Sequence, residues 1–494
     1  MSTTHDQAMK NVYHQVLQRM LSYFSIAQKT SLQLLIQRLI VAAGGIERIG
    51  GFRVMLAYGG GKDSSHALAF LRAAQLSIAA RAPDTFDLRV ATCRHAGITS
   101  AVMENIQRSY RALFADDDPR VEVLMVDDCQ ILPFDADARL STATCKSNRM
   151  DLLMAGHLTG GQARASFCNS CYLSLADFYR RIMAWEGGVD LVVGADLPSE
   201  QARYLAWGRS TLRDAGLLRT EAAPRHGALL EQFEPLGHEY YRQLHGENHI
   251  GAAPLPSLPI EPRFLSIHDL VHVPNPAKST LLTEFLGFRY ADLAFAFSES
   301  DCANPLLMAH MRGLRAQFLQ NRSYREGIDE YLQLAEAMMR RKRMPAELIE
   351  QALAAYRGEA GLKQRRQLAT DFAQQAYGLS EVQLVCLLHA PFVSQGRDLE
   401  AFLRHCHPGM LVALPYLHKA LQGKASPEPV MQWLVDISGL PQEALQRLYR
   451  MQRADGLDRS SLIARVRASD PDKCRIKAHD PRTGKTAFEL VCGR

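Results

Sequence analysis

The sequence lacks the features that identify membrane, fibrous, disordered and disulfide-rich proteins. Its apolar stretches are short and interrupted, whereas a membrane span needs roughly 18 consecutive apolar residues. The 33 glycines and 22 prolines in 494 residues are too few for a fibrous protein. A hydrophobic content of 47% is too high for a disordered chain, and ten cysteines do not make a disulfide scaffold in a chain of this length.

Net charge gives little information about partners. The chain has 57 Lys+Arg against 52 Asp+Glu, so its formal charge is +5, which permits an anionic substrate without requiring one. The amino-terminal residues do not combine a basic segment with an apolar one, as a signal peptide does. We therefore expect a cytoplasmic protein without a membrane partner. In that compartment, closely spaced cysteines indicate metal, cluster or thiol chemistry.

Strands and helices alternate in the first half of the chain, judged from hydrophobic periodicity and from glycine at the boundaries. Helices are predicted over residues 6–44, 62–76, 99–114 and 173–185, and strands over 52–58, 86–93, 121–126 and 191–194. Such alternation predicts βαβ units and therefore an α/β fold with a parallel sheet.

The second half of the chain has a different pattern. Residues 246–276 are rich in proline and are predicted to form a long surface connection that covers the site. From about Met308 the pattern is almost wholly helical, and a turn signal within residues 475–491 predicts a terminal hairpin. At roughly 150 residues per domain, two to three domains are expected. We divide the chain into an N-terminal helical segment (1–48), a central α/β domain (49–310) and a helical C-terminal domain (311–494).

The strongest chemical signal is a glycine-rich loop between a predicted strand and a predicted helix. Its residues are Gly59, Gly60, Gly61, Lys62, Asp63, Ser64 and Ser65. Glycines let the backbone approach a ligand closely, and the amides at a helix start favour an anion. The lysine adds a positive charge and the serines add hydroxyl donors. The loop therefore predicts a phosphate site.

Two common phosphate loops do not fit these residues. A Walker A loop requires Ser or Thr after its Lys, but Asp63 follows Lys62. A Rossmann fingerprint requires a third glycine where Ser64 stands.

The segment GGGKDS, Gly59 to Ser64, resembles the SGGKDS signature of the PP-loop ATP pyrophosphatases, the adenine nucleotide alpha-hydrolase-like superfamily. The chain departs from that signature at Gly59, where the family usually has Ser. The resemblance implies a PP-loop (HUP-like) parallel sheet flanked by helices. It covers about residues 50–210, which is less than half of the chain.

Two further stretches resemble elements of the same superfamily. His95 and Gly97 follow the second predicted strand, where the family often has a His or Asp followed by Gly beside the adenine and ribose; Arg94 is a further candidate there. At the end of the strand 191–194 and after it, Gly194, Asp196 and Glu200 resemble the family's GHxxDDxxET element. The chain departs from that element in having Ala195 in place of His and a single Asp. Each stretch also fits a plain turn after a strand.

The resemblance implies cleavage of ATP between its α and β phosphates, with AMP transferred to a carbonyl oxygen of the substrate. A sulfur or nitrogen nucleophile then displaces AMP. Lys62, Asp63 and Asp196 are the implied catalytic residues, and Asp63 would help to hold Mg²⁺. The glycine loop together with His95, Gly97 and Gly194 would bind ATP.

The pair Cys168 and Cys171 forms a C-x-x-C motif, which binds zinc, ligates a cluster or performs dithiol chemistry. Because one pair cannot fill a four-coordinate site, Cys302 and Cys145 are the candidate further ligands. Several tRNA-thiolating PP-loop enzymes resemble this layout, with three cysteines on a [4Fe–4S] cluster. N-acetyl sugar amidotransferases of the PP-loop class also carry C-x-x-C pairs, which resemble structural zinc sites. The sequence therefore predicts either zinc or a [4Fe–4S] cluster and does not decide between them.

Several functions fit these residues. An adenylating enzyme acting on a small molecule is favoured, because no recognisable RNA-binding module is present and the only dense basic run is Arg340–Arg343. In that case the helical C-terminal part forms a lid or a homodimer surface. The alternatives are tRNA thiolation through a cluster, with tRNA and a sulfur or nitrogen donor protein as partners, a non-catalytic nucleotide-binding scaffold, and an asparagine-synthetase-like amide ligase.

Overall fold

A central sheet organises the first half of the chain in the computed structural model. The model describes residues 3–127, 129–167, 171–196, 198–217, 226–247, 256–271, 280–290, 304–341, 344–454, 461–468, 473–479 and 486–492. The strands of the sheet are β1 (Arg53–Ala57), β2 (Asp87–Arg94), β3 (Val121–Asp127), β4 (Gln130–Pro133), β5 (Leu191–Gly194) and β6 (Arg263–Ser266).

The order of the six strands across the sheet is β4-β3-β2-β1-β5-β6. Within it, β4 is antiparallel to β3 and the other pairs are parallel. The chain adds strands to one side of β1 as far as β4 and then crosses to the other side with β5. In open α/β sheets, ligands bind outside the carboxyl ends of the strands at such a reversal point. The ends of β1 and β5 therefore mark the expected site.

Helices flank both faces of this sheet and continue through the second half of the chain. Those of the first half are α1 (Thr3–Ser22), α2 (Ile26–Ala43), α3 (Lys62–Ala79), α4 (Ser100–Leu113), α5 (Thr142–Leu158), α6 (Ala163–Phe167), α7 (Cys171–Ala184), α8 (Pro198–Asp214), α9 (His226–His245) and α10 (His268–Val271). Those of the second half are α11 (Pro305–Leu319), α12 (Tyr324–Arg341), α13 (Ala346–Ala354), α14 (Gly358–Tyr377), α15 (Glu381–His389), α16 (Leu399–Cys406), α17 (Leu414–Leu421), α18 (Glu428–Ser438), α19 (Gln442–Arg450) and α20 (Leu462–Ala468).

The sheet separates two buried hydrophobic clusters. Val54 and Leu56 point into a cluster shared with α1 to α4, whereas Met55 points into a second cluster on the opposite face. This alternation follows from the two-residue period of a strand. The second cluster extends without interruption into the C-terminal helices.

Most of the predicted elements are confirmed, with boundaries shifted by a few residues. The predicted strand 191–194 coincides with β5, and the predicted helix 62–76 corresponds to α3. The helical second half is confirmed, as is the terminal hairpin, whose strands β7 (Lys473–His479) and β8 (Thr486–Cys492) pair antiparallel. The domain boundaries at 48/49 and 310/311 stay predictions.

The prediction of one helix over residues 6–44 is wrong, because the segment forms two helices, α1 and α2. Ser25 lies between them in an extended conformation, and its hydroxyl accepts from the Gln28 amide while the Gln28 side chain accepts from the Ser25 amide. This capping box starts a new helix. Gly44 ends α2 in the left-handed conformation, at φ 84°, which confirms the helix end predicted from this glycine.

The proline-rich stretch 246–276 is not solely a surface connection. It contains β6, which pairs in parallel with β5, and the short helix α10. The edge strand β4 is a second strand without a sequence prediction. Within the described part of the chain, no helix combines the length and the apolar character that crossing a membrane would require.

Helix α5 joins the sheet to the C-terminal helices. It contacts α9, α14, α15 and α19, and the turn after it lies against the backbone of α15. A Cβ atom on Gly161, which has φ +65°, would lie 2.4 Å from Leu388 Cα. Only glycine fits at such a close approach.

Candidate functional site

The glycine loop follows β1 directly and begins α3. Gly60 has φ +72°, and a Cβ atom there would lie 2.8 Å from Ile106 Cγ1 and 2.9 Å from Val102 Cγ1 of α4. Gly61 is the N-cap residue of α3 and has no side chain with which to cap the helix. The first amides of α3 therefore face outward without a side-chain cap, in the arrangement that binds anions at helix starts.

Buried hydroxyl groups hold the base of this loop. Tyr58 is 1% exposed, and its hydroxyl lies 2.9 Å from both Ser65 Oγ and Ser109 Oγ. Thr92 Oγ1 of β2 donates to Tyr58 O at 2.9 Å. Burial raises the pKa of the Tyr58 phenol above its ordinary value, and the bonds to the serines offset part of that rise. Tyr58 is therefore a protonated structural group.

The polar residues of the first turn of α3 differ in exposure. Asp63 is exposed, and Lys62 and Ser64 are half-buried. Ser65 is fully buried, and its hydroxyl donates to Gly61 O at 2.8 Å, while Ser64 Oγ donates to the same carbonyl at 3.1 Å. Lys62 and Asp63 thus lie on the solvent side of the loop, whereas the Ser65 hydroxyl is hydrogen-bonded within the loop.

The end of β2 lies beside the loop. Ala57, the last residue of β1, is in register with Ala91, so β2 extends three residues further along the edge. His95 follows in a turn in which its Nδ1 accepts from the Gly97 amide at 3.2 Å. That bond places the ring proton on Nε2 when the imidazole is neutral. The predicted nucleotide residues His95 and Gly97 thus lie next to the loop.

The end of β5 flanks β1 on its other side. Gly194 is half-buried and Asp196 is exposed. The pKa of the Tyr179 phenol is raised mainly by burial and to a lesser extent by the charge of Asp196. His268, which follows β6, contacts Ala195 O through Nδ1 at 3.1 Å. The three predicted elements after β1, β2 and β5 therefore meet at one edge of the sheet, as the strand order requires.

A group without a sequence prediction completes this edge at the end of β3. Asp127 is 4% exposed and accepts from the amide of Ser141 at 2.9 Å and from its hydroxyl at 3.3 Å. It also accepts from the Thr144 hydroxyl. Ser141 is the N-cap of α5, so Asp127 fixes the start of that helix to the sheet. An acidic residue directly after a predicted strand is the signal that indicates this position.

The predicted cysteine cluster falls largely outside the described residues. Cys168 and Cys302 lie outside them, as does the side chain of Cys171. Cys145 is half-buried in the first turns of α5. Burial and then Asp127 raise the pKa of its thiol, with an opposing effect from Arg94. These protein groups by themselves favour the neutral thiol over the thiolate.

Among the residues that the structure describes, no group of three or more His, Cys, Asp or Glu side chains is placed to hold a metal ion. The prediction of zinc or a [4Fe–4S] cluster on the four cysteines therefore stays a prediction. Cys93, at the end of β2, is not among the predicted ligands, and burial raises the pKa of its thiol to about 12. The thiol is therefore neutral, and Cys93 is a packing residue.

A cavity of about 660 Å³ lies away from the sheet edge, between α9 and α20. One of its charged lining residues, Arg242, donates to both oxygens of Glu239 and is paired with Glu247. The lining has three carboxylates, Asp214, Glu239 and Glu247, against two arginines, Arg242 and Arg465. The cavity therefore lacks the excess of positive charge that suits a polyphosphate. None of the predicted site residues lines it.

No protein-family model, curated protein or solved structure matches this chain. The function is therefore inferred from the residues at the carboxyl edge of the sheet.

Proposed function

We propose that this chain binds ATP with Mg²⁺ at the carboxyl ends of β1 and β5 and cleaves it between the α and β phosphates. The observation behind the proposal is the uncapped start of α3, preceded by Gly59–Gly61, at the reversal point of the strand order. Helix starts at this position in α/β sheets bind phosphate groups. The resemblance of residues 59–64 to the PP-loop signature supports the fold assignment and the cleavage position.

The reaction couples one bond formed to one bond broken. A carbonyl oxygen of the substrate attacks the α-phosphorus, the bond to the bridging α–β oxygen breaks, and pyrophosphate leaves with the electron pair. The nucleophile, sulfur or nitrogen, then attacks the activated carbon and AMP leaves. Phosphoryl chemistry of this kind depends mainly on positioning and on neutralising charge.

The residues of the loop have separate tasks in this scheme. The amides at the start of α3 hold the departing pyrophosphate, and the Lys62 ammonium neutralises part of its charge. Asp63, an exposed carboxylate in the same turn, fits the hard-ligand preference of Mg²⁺ and would hold that ion on the phosphates. His95 and Gly97 would contact the adenosine, and Asp196 would face the α-phosphate from the end of β5.

The acceptor is proposed to be a small molecule with a carbonyl group. The C-terminal helices share the buried cluster on the side of the sheet that carries α5 and α7, so they would form part of the wall around the acceptor.

The test is the identity of the nucleotide product. The full chain is incubated with ATP labelled at the α-phosphate, Mg²⁺, a metabolite extract, and either ammonium or sulfide. We expect the label in AMP, with one pyrophosphate for each AMP. The variant Lys62→Ala should form AMP about a hundredfold more slowly, because removal of one donor that stabilises developing charge typically lowers a rate by that factor. Lys424→Ala, an exposed lysine outside the site, is the matched control and should retain full activity.

Two outcomes contradict the proposal. Label in ADP would place the cleavage at the β–γ bond, and undiminished AMP formation by Lys62→Ala would remove the loop from the reaction. Tight ATP binding without any AMP under all conditions would instead favour the scaffold hypothesis.

A further inference from the structure

Arg94, at this edge of the sheet, forms no ion pair with a carboxylate among the residues that the structure describes. Arg94 is the last residue of β2, and its Nη2 donates to Ala138 O at a distance of 3.4 Å. The Nε and Nη1 atoms are buried and have no hydrogen-bond partner among the residues that the structure describes. Buried donors that stay unsatisfied call for a ligand, an ion or water.

The neighbouring carboxylate is already engaged. Asp127 is in register with Arg94 across the β2–β3 pair, but its oxygens accept from Ser141 and Thr144 at the start of α5. Ser141 Oγ accepts in turn from the Thr144 amide, so the start of α5 is capped within the protein. Within the described part of the chain, Arg94 therefore has Asp127 nearby but no carboxylate that accepts a hydrogen bond from it.

Two other buried arginines, Arg72 of α3 and Arg89 of β2, are paired with carboxylates. Arg72 donates to Asp118 at 2.8 Å with both side chains at most 1% exposed, and Arg89 donates to Glu122 at 2.6 Å. Among the described residues, no carboxylate lies at ion-pair distance from Arg94. A partly buried cation without an ion pair is costly. Burial lowers the pKa of Arg94, an effect that Asp127 and Cys145 partly offset. A structural role alone does not account for such a residue.

Arg94 is also close to the glycine loop. Thr92, two residues earlier on β2, donates to the carbonyl of Tyr58, which directly precedes Gly59. Two residues of a strand span roughly 7 Å, and the side chain of Arg94 is partly exposed. A ligand on the loop can therefore extend toward the guanidinium.

We propose that Arg94 binds an anionic oxygen group, a phosphate or a carboxylate, that enters the site with the nucleotide. Its planar guanidinium suits either group. This assignment rests on the proposed function, in which the anionic group is either a phosphate of ATP or a group of the acceptor. If it belongs to the acceptor, the acceptor is an acid. Its carbonyl group is then activated by AMP, and a separate anionic group binds Arg94.

The experiment compares stability with anion binding in three variants. Arg94→Met removes the charge at similar length, Arg94→Lys keeps a charge, and Arg89→Met removes a paired arginine as the matched control. Unfolding is followed without ligand. Binding is titrated with ATP, pyrophosphate, inorganic phosphate and succinate, the last two with and without α,β-methylene-ATP.

We expect Arg94→Met to be at least as stable as the wild type, because it removes a partly buried charge whose Nε and Nη1 have no hydrogen-bond partner among the described residues, whereas Arg89→Met should unfold more easily. Arg94→Met should weaken binding of at least one anion about tenfold or more. A loss confined to ATP and pyrophosphate assigns Arg94 to the nucleotide, and a loss with succinate or phosphate in the presence of the analogue assigns it to the acceptor.

The proposal is overturned if Arg94→Met binds every anion with the affinity of the wild type, whatever its stability. Should Arg94→Met fail to fold, Arg94→Gln, which also removes the charge, is measured in its place, and unaltered affinity for every anion then overturns the proposal as well. A wild-type protein that binds neither ATP nor pyrophosphate would contradict the proposed function. The phosphate and succinate titrations would then still decide the role of Arg94.

Discussion

At the scale of the residue, the shape of the candidate site depends on one glycine. Gly60 has a positive φ, and α4 leaves no room for a Cβ atom beside it. The glycine run itself predicts this position, because a strand–glycine–helix junction requires close approach of the backbone to its surroundings. The sequence does not predict Arg94 as an unpaired cation, because its isolation depends on how Asp127 pairs with α5.

The variant Gly60→Ala tests that dependence. Strain at φ +72° and the contacts with Ile106 and Val102 should lower the free energy of unfolding by about 1–3 kcal/mol, and the displaced loop should lose ATP affinity. Denaturant unfolding measures the first effect and calorimetric titration the second.

Gly51→Ala is the matched control for this variant. A Cβ atom on Gly51 would contact nothing within 4 Å, so both stability and ATP affinity should stay close to wild type. Equal stability losses in the two variants would show that the loop does not require glycine at position 60.

At the scale of the element, the strands and helices that carry the predicted chemistry could be predicted from the sequence, and two edge strands could not. β1 and β5 are short apolar runs between turn residues, which is a strong local signal. β4 and β6 have four residues each, and β6 lies within the proline-rich stretch 246–276. Their pairing is decided by the neighbouring strand. The break between α1 and α2 depends on one capping box and is also easily missed.

Helix α5 is the element that links the edge of the sheet to the rest of the protein, and Asp127 anchors it. Asp127→Asn removes the charge that strengthens three hydrogen bonds to Ser141 and Thr144. We expect a loss of about 1–3 kcal/mol in the free energy of unfolding, the scale of hydrogen bonds to a charged group. Denaturant unfolding measures it.

Asp137→Asn, an exposed acidic residue in the same connection, is the control for Asp127→Asn and should change stability by less than about 0.5 kcal/mol. If both variants unfold at the same denaturant concentration as the wild type, the anchoring role assigned to Asp127 is incorrect.

At the scale of the whole molecule, the sheet and the C-terminal helices share one buried cluster. A Cβ atom on Gly156 of α5 would lie 2.6 Å from Leu387 Cδ1 of α15, and the Gly161 turn meets the backbone of the same helix. Hydrophobic periodicity predicts helices in the second half, but it does not predict which surface they cover. These contacts place the C-terminal helices against the helix that begins beside Asp127 at the edge of the sheet.

The most direct test of the central claim is a crystal structure of the full chain with α,β-methylene-ATP and Mg²⁺. This analogue cannot be cleaved between its α and β phosphates. We predict that the β and γ phosphates lie against the amides of residues 59–65, with Lys62 in contact and the nucleotide between the carboxyl ends of β1 and β5. A nucleotide bound in the cavity between α9 and α20, or phosphates remote from Lys62, would contradict the account.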